Sequence, residues 1–567
     1  MGITNFRQRL ISLALLMLST PVLASTGEET PSDRLAELLD EYDSTTPGLV
    51  IGVVKNGELV HQSAHGMADL THDQPFRIDT PTNLGSTSKQ FTGFAIALLA
   101  SRNQLSLDDD IREYFPELPD FGPTVTLRHL VSHTSGYREI LNTLALAGWR
   151  LMEGDQFEPR EALTVIRRQP ELQNTPGEEF NYNNTGFMLL AQVIGQVTES
   201  SLGEYLEAEV FEPLGMNATQ IRSRSGQIIE DRSIGYTEKD ETFHETQDIS
   251  GADGAGGVYS TVGDMARWMT HLNQFELGGE AVEDMMTTPF ELNNGKATNY
   301  GMGLYIDEYR GVTRWQHGGA DAAHRSHFVY FPELNGGYMV FSNHAGLPAA
   351  IPRLVAEVHF GEHFEQETES EAAVDNRSDA TFDPDSLTSR DLSRLTGRYE
   401  LEADPDFILN VFVEEGQLHV QGTGQPALAV EAVTPTEFTA QEVGARFEFH
   451  VTEDGSVPEL TLHQGQAMKA VRLEDEESEG PSIQDYTGQY FSEELQTVYT
   501  VESEDDTLVI RHRRLGAIPM ARIRGDRFSG EFPIVNIEFQ RNEDGEVTGI
   551  TAGNGRTSNV AFERFEP

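Results

Sequence analysis

Ser86-Thr87-Ser88-Lys89 sets a hydroxyl and an amine three residues apart, just ahead of a strongly apolar run from Phe91 to Leu99. If that run is a helix, the spacing puts both side chains on one face, beside the free N–H groups and positive dipole end of the first turn. An amine desolvated there loses its proton more readily, and its neutral form can take the proton of a serine. The alternative is a serine that caps the helix, with the lysine on the surface. Only five lysines occur in the chain, and Lys89 alone has a serine three places upstream.

Two further groups carry chemistry of the same kind. Tyr182-Asn183-Asn184 follows Pro176-Gly177 and precedes the apolar Phe187-Met188-Leu189-Leu190. A phenol at such a loop-to-helix junction can relay a proton to a departing group, and an amide can hold a substrate amide. An asparagine-rich turn without chemistry is the other reading. His317-Gly318-Gly319-Ala320 ends a β-like stretch. The two glycines allow close backbone approach, and an N–H there can face an acyl oxygen. His317, His324 and His327 could instead hold a metal, but no matching carboxylate spacing accompanies them.

These groups need rigid elements behind them. The run at 91–99 continues to Ala100 and is long enough for a buried helix, and further helices are expected near 126–132, 185–198 and 261–273. Residues 48–66 form two β-rich runs joined by Asn56-Gly57, a tight-turn signal. Strand character returns at Leu304–Ile306, Val312–Trp315, His327–Phe331 and Tyr338–Phe341, with Asn335-Gly336-Gly337 read as a turn. Strands, then helices, then strands is an α+β order, best met by one antiparallel sheet flanked by helices.

At 567 residues the chain exceeds one ordinary core. Arg7 and Arg9, the apolar run Leu10 to Leu18 and Val22-Leu23-Ala24 have the form of an export signal over residues 1–24, which predicts a periplasmic or secreted protein. The first domain is placed at 25–360, an acidic linker at 361–388, and a second acidic linker at 474–482. Around the latter the sequence repeats. Leu395-Thr396-Gly397-Arg398-Tyr399 matches Tyr486-Thr487-Gly488-Gln489-Tyr490, and Phe447-Glu448-Phe449 matches Ile537-Glu538-Phe539. Two small antiparallel β-barrels are expected, at 389–473 and 483–567, with a bound ligand in a barrel mouth as a competing, non-enzymatic role.

Composition narrows the chemistry. With no cysteine there is neither a disulfide nor a thiolate nucleophile. Acids number 92 against 40 lysines and arginines, a net charge of −52 that repels phosphate backbones and excludes nucleic acid as a partner. After the signal no apolar run reaches the length of a membrane span. The expected partner is a small-molecule or peptide substrate, and the sequence leaves the oligomeric state open.

Together with Asp79-Thr80, Thr126-Leu127-Arg128-His129-Leu130, His133-Thr134-Ser135-Gly136 and Gly256-Gly257-Val258-Tyr259-Ser260-Thr261, these motifs resemble the serine β-lactamase and penicillin-binding protein family. The likeness covers roughly 30–355 and is nearest to the family's class C-like esterase and D-aminopeptidase branch. It implies a β-lactamase/transpeptidase-like sheet with a helical subdomain, followed here by lipocalin-like barrels. It implies Ser86 as nucleophile, Lys89 as its base and Tyr182 as proton relay. Asn184 would hold the substrate amide, with His317, Gly318 and Gly319 lining the substrate strand. The N–H groups of Ser86 and Ala320 would form the oxyanion hole, and no cofactor is required. Where the family usually has Lys-Thr-Gly, this chain has His317-Gly318-Gly319, and a partly charged histidine would weaken carboxylate recognition. Peptidase, amidase or esterase activity is therefore expected ahead of β-lactamase or carboxypeptidase activity, with a barrel loop limiting access to Ser86.

Such an acid excess with few lysines fits surroundings where salt screens self-repulsion. Thermal unfolding should shift to higher temperature as salt rises from millimolar to molar, and full stability in very low salt would contradict this reading.

Overall fold

A computed structural model of the protein describes residues 30–365, 387–473 and 480–565, apart from short gaps at 225, 241, 249–250, 403, 415, 424, 426, 441–444, 453 and 465. The expected export signal and most of both acidic linkers lie outside the described residues. Residues 361–365 belong to the first unit, where a 3-10 turn, Gly361–His363, follows the last helix of that unit.

The first unit is built on six antiparallel strands. They are β1 (Leu49–Lys55), β2 (Glu58–His65), β3 (Tyr305–Tyr309), β4 (Val312–Asp321), β5 (His324–Phe331) and β6 (Gly336–Ser342), in the order β3-β4-β5-β6-β1-β2. Asn56 and Gly57 both adopt positive φ, as the turn between β1 and β2 requires. Asn335 is also left-handed, but Gly336 and Gly337 belong to β6 rather than to the turn. Gly337 is small because a Cβ there would meet the Val329 carbonyl at 2.1 Å.

β1 is apolar without alternation because both sheet faces are covered. Leu49, Ile51 and Val53 pack with Ile351 and Val355 of α7 (Ala350–Phe360) and with Leu35 and Leu38 of α1 (Pro31–Asp40). Val50 and Val54 face the main core, which holds Val262, Met265 and Met269 of α6 (Val262–Leu272). The same core takes the nearly wholly buried α2 (Lys89–Ser101) and α5 (Asn184–Thr198). α3 (Leu127–Val131) and α4 (Ile140–Leu146) extend the helical part. The helices expected near 126–132, 185–198 and 261–273 are α3, α5 and α6.

The C-terminal repeats form two sheets. Strands between Gly397 and Arg472 make a nine-stranded antiparallel sheet whose edges, Leu428–Ala429 and Glu431–Ala432, flank the single residue Val430, so it curls nearly shut. Strands from Gly488 to Phe565 close into an eight-stranded barrel. The matched sequences are structurally equivalent. The hydroxyl of Tyr399 donates to the Leu395 carbonyl at 2.8 Å, as Tyr490 does to Tyr486 at 2.6 Å. Arg472 and Arg564 lie over these two rings.

The closed barrel is filled with side chains, among them Tyr490, Tyr499, Phe539 and Phe562, and also by Leu146 from the end of α4. Tyr499 donates a hydrogen bond to the Leu146 carbonyl at 2.7 Å. Its interior is thus a packed core that anchors a helix of the first unit. Beside it Arg138 and Glu494, 2% and 5% exposed, approach to 3.3 Å. Asn142 and Asn554 exchange side-chain-to-carbonyl hydrogen bonds at 2.7 and 2.9 Å.

Candidate functional site

Ser86 lies in a 3-10 turn, Gly85–Ser88, that runs directly into α2. With three residues per turn, positions i and i+3 eclipse, which is why Ser86 and Lys89 meet. The shared helical face expected from the spacing is thus supplied by a 3-10 turn. Gly85 is needed because its φ is +50° and a Cβ there would stand 2.7 Å from the Ala320 nitrogen. This close approach brings the backbone around Ser86 against that of Ala320, and both residues line one cleft of about 560 Å³.

Lys89 is completely buried, and Nζ has three neighbours: Ser86 Oγ at 3.2 Å, Asn184 Oδ1 at 2.7 Å and the Ala255 carbonyl at 2.8 Å. Burial lowers its pKa well below 10.5. The charge of Glu139 pulls the other way, and Arg556 adds to the lowering. A neutral amine has two N–H bonds and one lone pair. Two of the neighbours only accept, so they take the N–H groups and leave the lone pair facing the one neighbour with a proton to give, Ser86. The neutral form is therefore fully satisfied in this geometry.

Asn184 is fixed in orientation by Glu139, whose Oε1 accepts from Asn184 Nδ2 at 2.7 Å. Glu139 is wholly buried and caps α4, its Oε2 accepting from the Asn142 N–H at 2.7 Å. Its backbone carbonyl accepts from Thr557 Oγ1 of the closed barrel at 2.9 Å. Asn184 thus faces Lys89 with its oxygen, and one of its two N–H bonds is committed to Glu139, leaving one for a substrate.

Tyr182 stands beside this group, its ring 4.9 Å from Lys89 Nζ. Burial raises its phenol well above 10 while the nearby Ser86 hydroxyl acts in the opposite sense, so it is protonated at neutral pH. Its hydroxyl is buried beside that of Ser86. His133 packs on the ring at 4.3 Å and accepts from the Asn183 N–H through Nδ1 at 3.0 Å. Burial holds His133 neutral.

His317 belongs to β4, which runs to Asp321 and is longer than the sequence signals predict. Its ring nitrogens meet the Gly318 carbonyl at 2.6 Å and Tyr300 Oη at 3.1 Å. Burial pushes its pKa down to about 3. The expectation of partial charge is corrected: His317 is neutral at physiological pH, because it is 2% exposed and the nearby Lys89 charge also disfavours its protonation. The two glycines also differ. A Cβ on Gly318 would make only an ordinary contact, 3.7 Å from the Ser326 carbonyl, whereas a Cβ on Gly319 would meet the Leu84 carbonyl at 2.0 Å, so Gly319 lets the Ser86 turn pack against β4. Ala322 and Ala323 take positive φ in a two-residue turn, and β4 pairs regularly with β5 up to Asp321 and His324.

All the sequence-predicted site residues therefore converge: Ser86, Tyr182, Asn184, His317, Gly318, Gly319 and Ala320 line the cleft, with Lys89 beneath it. Sequence reasoning missed Glu139, Tyr300, Ala255 and Arg556. Glu139 immediately follows the Thr134–Tyr137 stretch and Arg138, and a charged pair at the start of an apolar helix was its one local signal.

Known proteins share the family and the fold. A family model described as Beta-lactamase matches residues 33–360. The chain is 25% identical over 545 residues to a D-aminopeptidase of Brucella anthropi, covering 92% of this chain and 96% of that one. It is 24% identical over 438 residues to penicillin-binding protein 4* of Bacillus subtilis (strain 168), covering 74% and 93%. An octameric penicillin-binding protein homologue from Pyrococcus abyssi superposes with a TM-score of 0.54 at 23% identity, over 78% of this chain and 99% of that one, which shows a shared fold.

The negative charge of Glu139 favours the protonated form of Lys89. Replacing it by glutamine should move the acidic limb of the kcat/KM–pH profile to lower pH and reduce the plateau several-fold as Asn184 loses its anchor. An unmoved limb, or one shifted upward, would contradict this coupling.

Proposed function

The chain belongs to the beta-lactamase family, and on that footing we propose that it is a serine hydrolase that cleaves small amides, peptides or esters through an acyl-enzyme at Ser86. The observation that carries the reading is the buried Lys89 amine 3.2 Å from Ser86 Oγ. Neutral Lys89 takes the Ser86 proton as Oγ attacks the substrate carbonyl. The N–H groups of Ser86 and Ala320 hold the resulting oxyanion, each such donor being worth about 3 kcal/mol of barrier. Tyr182 delivers a proton to the departing amine or alcohol and draws one from the water that releases the acyl group. Asn184 keeps Lys89 in place and offers its remaining N–H to the substrate.

Homology to D-aminopeptidases favours amide substrates with a D-residue. Neutral His317 gives β4 no charge for a carboxylate, which disfavours β-lactams. The Asn554–Asn559 loop of the closed barrel reaches the cleft through Arg556, which supports its role in limiting substrate size. The amino-terminal signal supports export.

The test compares the protein with Ser86→Ala on D-alanine p-nitroanilide, short-chain p-nitrophenyl esters and a chromogenic cephalosporin. Anilide or ester turnover abolished by Ser86→Ala is expected, with little cephalosporin hydrolysis. Shortening the 554–558 loop should widen the range of acyl groups accepted. Dominant cephalosporin hydrolysis, or turnover independent of Ser86, would overturn the reading.

A further inference from the structure

Among the described residues, one arginine of the cleft has no acid to answer it. Arg556 is exposed, lines the cleft with Ser86, and holds its guanidinium 4.9 Å from the centre of the Tyr182 ring. Among the described residues its guanidinium meets no carboxylate, in a chain where acids outnumber basic residues 92 to 40. Two carboxylates, Asp321 and Asp253, also line the cleft. Asp321 accepts from Asn83 Nδ2 at 2.9 Å, and Asp253 is largely buried, its pKa raised to about 6 by desolvation, with the Ser223 hydroxyl acting against that rise. The other cleft arginines also have protein partners: Arg222 pairs with Asp248, and Arg325 donates to the His324 carbonyl at 2.9 Å.

The backbone that carries Arg556 is fixed. Its carbonyl accepts from Gln173 Nε2 at 3.1 Å and Asn181 Nδ2 at 3.2 Å. The Ser558 N–H donates to Gln173 Oε1 at 3.3 Å, and the Asn559 carbonyl accepts from Arg138 at 2.9 Å. Both sides of the residue are thus tied to the first unit, while the planar fork of donors stays free above Tyr182. A preorganised guanidinium stacked on an aromatic ring is suited to bidentate capture of a carboxylate.

We propose that Arg556 is the substrate-recognition cation of this cleft, and that the substrates of the hydrolase proposed above carry a carboxylate placed against the Tyr182 wall. The charge that His317 does not supply from β4 comes from a barrel loop instead, and the anion is held in a different place relative to Ser86. This inference rests on the serine-hydrolase reading.

Matched substrates separate the possibilities. p-Nitrophenyl hemisuccinate against p-nitrophenyl butyrate places the carboxylate on the acyl side, and phenylacetyl-thioglycolate against its methyl ester places it on the leaving side. The protein should favour the anionic member of one pair at least tenfold in kcat/KM, and the pair that responds identifies the side. Arg556→Gln should bring that ratio to within about twofold of unity, Arg556→Lys should keep part of it, and Arg556→Glu should invert it. The ratio is the readout because Arg556 also lowers the pKa of Lys89, an effect that both members of a pair share. No anionic preference in either pair, or a preference that survives Arg556→Gln, would overturn the proposal. Absence of Ser86-dependent turnover on all four esters would overturn the hydrolase reading and this inference together.

Discussion

Burying a lysine ammonium out of contact with water costs several kcal/mol unless the charge is paired or given up. Lys89 is in that position, and the surrounding structure makes giving up the charge the favourable course. Its two acceptor neighbours, Asn184 Oδ1 and the Ala255 carbonyl, come from elements 95 and 166 residues away. Its third neighbour is the serine whose proton it can take. The sheet, the apolar α2 and the 3-10 turn together hold a basic nitrogen where water does not reach it, and this dryness lowers the pKa of the amine well below its ordinary value.

The second layer of control comes from the carboxyl-terminal repeats, which have diverged in use. Both keep the tyrosine hydroxyl bond and the stacked arginine, so both keep the interior that defines the module. The closed barrel also swallows the end of α4 and touches Glu139 through Thr557. Glu139 in turn orients Asn184, which orients Lys89. Hydrogen bonds that pass through Glu139 and Asn184 thus link Thr557 of the barrel to the amine beside Ser86.

Much of the site could be read in the sequence because it is encoded locally. Ser86 and Lys89 are one turn apart, Tyr182 and Asn184 straddle one helix start, and His317 to Ala320 are consecutive. The α+β order followed from periodicity and turn residues, with strand ends misplaced where glycines sat inside strands, as at Gly336 and Gly337. What stayed hidden was whatever depends on contacts between distant segments. No spacing rule links Glu139 to Asn184, or Arg556 to Tyr182 across more than 370 residues. The neutrality of His317 was hidden for the same reason, since the burial that discharges it is a property of the folded cleft.

The central claim is that Lys89 is a neutral base, and the scarcity of lysine makes it directly measurable. With only Lys55, Lys89, Lys239, Lys296 and Lys469 in the chain, selective 13C labelling at the lysine ε-carbons gives a spectrum simple enough to titrate, with Lys89→Arg assigning its signal. The account predicts a Lys89 resonance that titrates well below 10.5, the ordinary value for a lysine. A Lys89 signal that titrates at or above that value would contradict it.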